Sequence, residues 1–201
     1  MDILLIRGKA NIIPVTVNRR LIAWIVGAQV LVQLGAQALP ALLPGVIQTW
    51  SLSKTEAGWL LGIFFVGYVA AVPVLVSLTD RLPARNIYML GAACAAISQF
   101  GFAFVADGFW SGMLFRIIGG IGWAGNYMPG LRAIADTLKG EAQSRAVSWH
   151  AAGTGIAGAA SFAVAGFFDA LAGPTAAFAF GGVAAVGSGA IAFAVPWPGG
   201  F

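Results

Sequence analysis

The sequence predicts an all-α integral membrane protein built from six transmembrane helices. Charged residues make up 9% of the 201-residue chain and hydrophobic residues 59%, whereas soluble proteins carry roughly 25% charged residues. The apolar residues also occur in long runs, and a helix needs about 20 of them to cross a bilayer core. None of these runs alternates apolar and polar residues as a membrane β-strand does. The solvent for most of the chain is therefore lipid.

Six apolar runs are long enough to span a membrane, and short polar connectors separate them. The second run ends before Asp80, the third and fourth flank Asp107, and the fifth and sixth flank Asp169. The residues outside the runs are assigned to a cytoplasmic N-terminal segment, 1–20, and to the start of a central linker or a C-terminal tail, 196–201. The predicted transmembrane helices are 21–43, 57–78, 87–105, 110–131, 146–168 and 175–195.

The basic residues are distributed unequally between the two sides of the predicted bundle. The connectors of the opposite side carry Lys54 as their basic residue. Lysine and arginine are retained on the cytoplasmic side, so we predict a multi-pass protein of the plasma or inner membrane with both termini in the cytoplasm. No basic stripe with interleaved aromatic residues lies outside the bilayer, which excludes a nucleic-acid partner. The residues of the basic side are Arg7, Lys9, Arg19, Arg20, Arg81, Arg85, Arg132, Lys139 and Arg145.

The chain lacks the residue types that metal sites and covalent catalysis need. Its one cysteine, Cys94, and its one histidine, His150, exclude a disulfide within the chain and a Cys/His metal cluster. No nucleophile with a base and an orienting acid can be assembled from the groups within the membrane. We therefore predict that the protein is not an enzyme and has no catalytic residues, metal or cofactor.

Arg116 is a charged residue inside the predicted fourth helix. A charge near the bilayer centre costs about 2.5–3.5 kcal/mol on insertion scales, so it needs a partner, a water-filled cavity or an anionic ligand. Trp123 and Tyr127 follow at seven and eleven residues, on the same helical stripe. We predict that the three residues bind solute. A structural arginine bonded to carbonyl groups, with packing aromatics, is the alternative.

The first helix carries a second polar stripe. Gln29, Gln33 and Gln37 are spaced four residues apart and would share one face of a continuous helix. Three amides facing lipid are costly, so we expect them to face the bundle interior. They either bind solute or cross-link neighbouring helices.

No Asp or Glu falls inside a predicted helix, so a proton carrier has to be sought elsewhere. His150, near the inner end of the fifth helix, is a candidate proton relay. The alternative is a polar side chain that extends to the membrane surface.

Three motifs give the chain its resemblance to a known family. Asp80, Arg81 and Arg85 fill positions of a Gly-x-x-x-Asp-Arg-x-Gly-Arg-Arg pattern, although Val76, Pro83 and Ala84 depart from it. A second motif, Arg116-Ile117-Ile118-Gly119-Gly120-Ile121-Gly122, is similar to an Arg-x-x-x-Gly-x-Gly signature of the same family. The third is the entry to the second helix, residues 52–59, which is similar to the corresponding segment of that family. In this order and on these sides of the membrane, the chain resembles the N-terminal half of a major facilitator superfamily transporter.

The resemblance implies one six-helix lobe with a 3+3 inverted repeat, and a central cavity shared with a second lobe. That partner would be a missing half or a second chain. Helices one and four line the cavity in this family, so the glutamine stripe and Arg116 would face the same path. The implied function is transport of a small solute by alternating access, and Arg116 favours an anionic one. The alternative is a truncated or structural half-transporter without transport activity alone.

The loop motif also implies a gate at the cytoplasmic side. Asp80, Arg81 and Arg85 would form a latch with Arg132 and Asp136 that closes this side when the transporter faces outward. The alternative is that the arginines act only as topology anchors.

Overall fold

The computed structural model describes residues 15–195 and residue 197, with side chains from residue 22 onward, and this part of the chain is helical apart from its connectors. The all-α prediction is therefore confirmed. Of the predicted segments 1–20 and 196–201, residues 1–14, 196 and 198–201 lie outside the described residues. The helices are α1 (Val15–Gln33), α2 (Ala38–Thr49), α3 (Lys54–Thr79), α4 (Ala84–Phe104), α5 (Phe109–Thr137), α6 (Gly140–Ala172) and α7 (Pro174–Ala194).

The predicted first helix, 21–43, is interrupted between α1 and α2. Neighbouring helices supply partners for the backbone groups at the break. Ser161 of α6 accepts a hydrogen bond from the Gln37 amide (3.0 Å) and donates one to the Leu34 carbonyl (2.7 Å). Gln99 of α4 donates to the Gly35 carbonyl (2.6 Å). Irregular backbone within a membrane is tolerated where protein groups satisfy it, as they do here.

Five stretches of the described chain are long and apolar enough to cross a membrane. The first of them joins α1 and α2 across the break. α5 has 29 residues but is less apolar, because Arg116, Asn126 and its glycines lower its hydropathy. The sixth spanning helix therefore stays a prediction. The five stretches are Ile22–Thr49, Lys54–Thr79, Ala84–Phe104, Gly140–Ala172 and Pro174–Ala194.

α5 packs along both α3 and α4, which are its most extensive helix contacts. Glycines set this close approach. A Cβ atom at Gly67 would lie 2.6 Å from the Ile117 carbonyl oxygen, and one at Gly91 would lie 2.5 Å from the carbonyl carbon of Gly125. Small residues let membrane helices pack backbone to backbone in this way. Arg116 and Asn126 lie on buried positions of α5, where protein rather than lipid surrounds them.

The connectors gather at two ends of the bundle. We call the end with the α3–α4 and α5–α6 connectors the basic end, because Arg81, Arg85, Arg132, Lys139 and Arg145 lie there. At this end α5 and α6 extend past the predicted bounds 131 and 146. Polar residues continue both helices, with (i, i+4) ion pairs from Arg132 to Asp136 and from Arg145 to Glu141.

At the opposite end, α3 begins with a capping box. The Ser53 hydroxyl accepts the amide of Glu56, and the Glu56 carboxylate accepts the amide of Ser53. This arrangement satisfies amides at the helix start that have no partner within the helix.

Candidate functional site

Arg116 is held inside the bundle and is only 6% exposed. Its Nε donates a hydrogen bond to the Leu60 carbonyl of α3 (3.1 Å), and its guanidinium lies 4.4 Å from the centroid of the Phe64 ring. Within the described residues no carboxylate forms an ion pair with it, and its two terminal nitrogens make no hydrogen bond. The bond to a carbonyl that a structural arginine would make is thus present. The two terminal NH2 groups of the charged guanidinium remain available to a ligand or to water.

A small cavity with several polar residues in its wall lies against Arg116, with a volume of about 30 Å³. One water molecule needs roughly 10–15 Å³ measured in this way, so the cavity has room for about two waters. Its walls come from α1, α3, α4, α5 and the break between α1 and α2. The polar residues among them are Gln33, Ser98, Gln99, Arg116, Trp123 and Asn126.

The three glutamines do not form the single stripe that their spacing predicted. Gln29 and Gln33 are buried, at 1% and 3% exposed, and Gln33 lines the cavity beside Arg116. α1 ends at Gln33, so Gln37 falls in the break and its backbone amide is bound to Ser161. The prediction that all three share one face is therefore wrong, because the helix is not continuous.

Trp123 and Tyr127 lie in different surroundings, although both follow Arg116 on α5. Trp123 lines the cavity, and its indole packs 5.2 Å from the Phe64 ring and 5.4 Å from the Tyr68 ring. Tyr127 is one turn further along and lies 5.2 Å from the His150 ring. A shared stripe did not bring Tyr127 to Arg116, since eleven residues correspond to about 16 Å along a helix.

His150 is completely buried, at 0% exposed. Its ring packs on Tyr127 and on Gly130, where a Cβ atom would lie 2.8 Å from the His150 Cε1. Neither ring nitrogen has a hydrogen-bond partner among the described residues. The alternative of a histidine that extends to the membrane surface is therefore wrong.

Sequence reasoning missed three polar residues of the cavity wall. Asn126 is 0% exposed; its Nδ2 donates to the Gly122 carbonyl (2.7 Å), while its Oδ1 has no partner within the described chain. Ser98 is 4% exposed, and Gln99 is anchored to the helix break. All three are polar residues inside apolar runs, and that signal could have identified them.

The residues of the predicted gate are only partly brought together. Arg132 Nη1 lies 2.7 Å from Asp80 Oδ1 and also donates to the Thr79 hydroxyl (3.0 Å), while its Nε lies 3.7 Å from Asp136 Oδ2. The hydrogen bond to Asp80 raises the pKa of the Arg132 guanidinium. Arg81 is exposed and forms no ion pair among the described residues, and Arg85 lies 5.9 Å from the Phe193 ring centroid.

A helical membrane bundle with a buried arginine beside a cavity lined by several polar residues is typical of a protein that moves solutes across a membrane. The model of the Major Facilitator Superfamily matches residues 25–198. The chain therefore belongs to this superfamily, and the predicted resemblance is confirmed. Comparison with curated proteins finds no match.

Proposed function

We propose that this chain forms one six-helix lobe of a major facilitator transporter and moves a small anionic solute by alternating access. Its 3+3 inverted repeat would include α5 as the sixth spanning helix. The basic end would be cytoplasmic, with both termini there, in a plasma or inner membrane. The observation that carries the proposal is the burial of Arg116 without a carboxylate, because a cation in such a place attracts an anion or water.

The proposed solute path runs past the cavity at Arg116. Gln33, Trp123 and Asn126 would orient the solute through hydrogen bonds and ring contacts, while the Arg116 terminal nitrogens would hold its charge. Gln29 lies on the same face of α1, one turn from Gln33, and both of its amide atoms lack a partner in the described chain. Gln29 and Gln33 are therefore proposed members of one polar path, and the backbone amide of Gln37 is bound to Ser161.

The size of the cavity supports the need for a second lobe. A volume of about 30 Å³ is far below the roughly 300–1,000 Å³ of ordinary ligand sites. A solute would therefore need a second wall, from another part of the chain or from a partner. The same observation favours the alternative function, a structural half-transporter that is inactive alone.

An uptake assay in proteoliposomes tests the proposed solute class. We expect uptake of one or more of lactate, succinate and phosphate, and none of choline. Arg116→Lys and Arg116→Ala should both abolish it, because lysine lacks the planar pair of donors that binds an oxyanion. The matched control is Arg145→Ala, which removes an exposed arginine paired with Glu141. Full uptake by Arg116→Ala would refute the role of this residue. No uptake by the purified chain, restored by a co-reconstituted second lobe, would identify a half-transporter.

We also propose His150 as a proton relay for this transport. Both ring nitrogens of His150 are buried and have no hydrogen-bond partner in the described chain. The titratable group in contact with the ring is Tyr127, and no carboxylate of the described residues pairs with His150. A histidine ionises in the physiological range and can carry one proton at a time. His150→Gln should remove the pH dependence of uptake, whereas Tyr127→Phe should keep it. An unchanged pH profile in His150→Gln would exclude the relay.

A further inference from the structure

A second and much larger cavity opens at the end opposite the basic end. Its volume is about 490 Å³, within the range of small-molecule sites. Its walls are the final turns of α2, α4 and α6 and the first turns of α7. We call it the Asp169 cavity, after the carboxylate in its wall. It shares no lining residue with the cavity at Arg116.

The electrostatics of the Asp169 cavity favour a cation. The C-termini of α2, α4 and α6 meet there, and each carries partial negative charge on carbonyl groups that lack a partner within the helix. None of these three helices has a basic residue in its last turn to offset that charge, and no basic side chain lines the cavity. Pro174, at the start of α7, brings an opposing helix N-terminus to the cavity wall.

Asp169 adds a full negative charge where the helix dipole disfavours it. A carboxylate in the last turn of a helix is destabilising, so α6 gains nothing from Asp169 as a helix-ending residue. Its side chain makes no ion pair and no hydrogen bond with the residues that the structure describes. The carboxylate is half-buried in the cavity wall and is available to a ligand.

Aromatic rings complete the cavity wall. Trp50 stacks on Phe102 with the ring centroids 6.1 Å apart, and Phe102 stacks on Phe178 at 5.1 Å. Thr49 and Thr175 supply hydroxyl groups beside them. Aromatic faces attract ammonium groups, most strongly in desolvated sites, and also bury the apolar body of an organic ligand.

We propose that the Asp169 cavity binds a small organic cation, in which an ammonium group is carried on an apolar or aromatic body. The ammonium group pairs with the Asp169 carboxylate and with the three helix C-termini. The apolar body lies against Trp50, Phe102 and Phe178. The same chemistry is found in free amines and in the ammonium headgroups of phosphatidylcholine. The site is independent of the Arg116 path, whose proposed solute has the opposite charge.

Equilibrium dialysis of radiolabelled benzyltrimethylammonium against the full chain in phosphatidylglycerol nanodiscs tests this proposal. Empty nanodiscs give the background. We expect saturable binding that weakens at least about tenfold in Asp169→Asn, because the ion pair is lost. Trp50→Leu should weaken binding about two- to tenfold, because the apolar body of the ligand loses its contact with the indole ring. The matched control is Asp107→Asn at the same end of the bundle, where the carboxylate accepts a hydrogen bond from Ser111; binding should not change.

The neutral isostere neopentylbenzene separates a cation site from an apolar crevice. It should compete at least about tenfold less well than the cation. Phosphatidylcholine nanodiscs distinguish the source of the ligand: competition by the lipid indicates a headgroup site, and equal binding indicates a site for free amines. Unchanged binding in Asp169→Asn, or equal competition by neopentylbenzene, would overturn the proposal. Asp169→Asn should fold at least as stably as the wild type, since it removes an unfavourable charge from the end of α6.

Discussion

Ser161 bonds two of the backbone groups at the break between α1 and α2, and its removal gives a prediction with a calculable size. Ser161 is 0% exposed and joins the Gln37 amide and the Leu34 carbonyl through hydrogen bonds of 3.0 and 2.7 Å. Ser161→Ala deletes the hydroxyl group and with it both bonds. The two backbone groups, buried away from water, then have no side-chain partner.

The expected loss follows from the two hydrogen bonds. Side-chain hydrogen bonds in membrane proteins are worth about 0.6 kcal/mol on average and about 1.7 kcal/mol at most. Two of them give a destabilisation of about 1–3 kcal/mol. The change should also loosen Gln33 and Ala36, which lie beside the break and line the cavity at Arg116.

Unfolding equilibria measured in bicelles by steric trapping give the free energy directly. Ser148→Ala is the matched control, because Ser148 is exposed on the same helix and its hydroxyl donates to the Ser144 carbonyl of that helix. Its effect should stay below about 0.5 kcal/mol. An equal effect of the two substitutions would refute the view that Ser161 holds the break.

Two further substitutions test the packing of α5 and the gate. Gly120→Ala should destabilise the bundle by about 1–3 kcal/mol, because its Cβ atom would overlap the Phe64 carbonyl oxygen and lie 2.8 Å from the Tyr68 amide nitrogen. In the same unfolding assay the control Gly158→Ala, at a position with open space around it, should be neutral or stabilising. Equal losses of stability in the two variants would contradict the packing of α5. Asp80→Asn should change the uptake rate about 1.5- to 5-fold, since an exposed ion pair is worth about 0.2–1 kcal/mol. Glu141→Gln, which breaks the Arg145 pair, should leave the rate unchanged, and an unchanged rate in Asp80→Asn would exclude a latch.

The helical class and the burial of Arg116 could be predicted because both follow from the cost of placing polar groups in lipid. The break in the first helix could not, since it depends on Ser161 and Gln99, which are 124 and 64 residues away from their partners at the break. The same holds for His150, whose burial depends on the absence of a side chain at Gly130 of another helix. Helical phase predicted which residues share a stripe, but not which neighbour each one meets.

Asn126 is a different case. A lone asparagine within an apolar run carries the same information as Arg116 in weaker form, because an amide in lipid also needs partners. Its place in the cavity wall was therefore accessible from the sequence. The separation of Tyr127 from Arg116 was accessible as well, from the rise of a helix per residue.

Thiol labelling at Ser98 tests most directly whether water and anions reach Arg116. Ser98 is buried in the cavity wall beside Gly119. The substitution Cys94→Ser removes the one cysteine of the chain and gives a cysteine-free background. In that background Ser98→Cys should react with the anionic reagent sulfonatoethyl methanethiosulfonate faster than with its trimethylammonium counterpart, and Arg116→Gln should abolish the preference. The control is Ser188→Cys, at a buried position bonded to Tyr88 and outside the cavity wall. No reaction with either reagent, added to both sides of the membrane, would place Arg116 in a dry protein seam and contradict the transport mechanism.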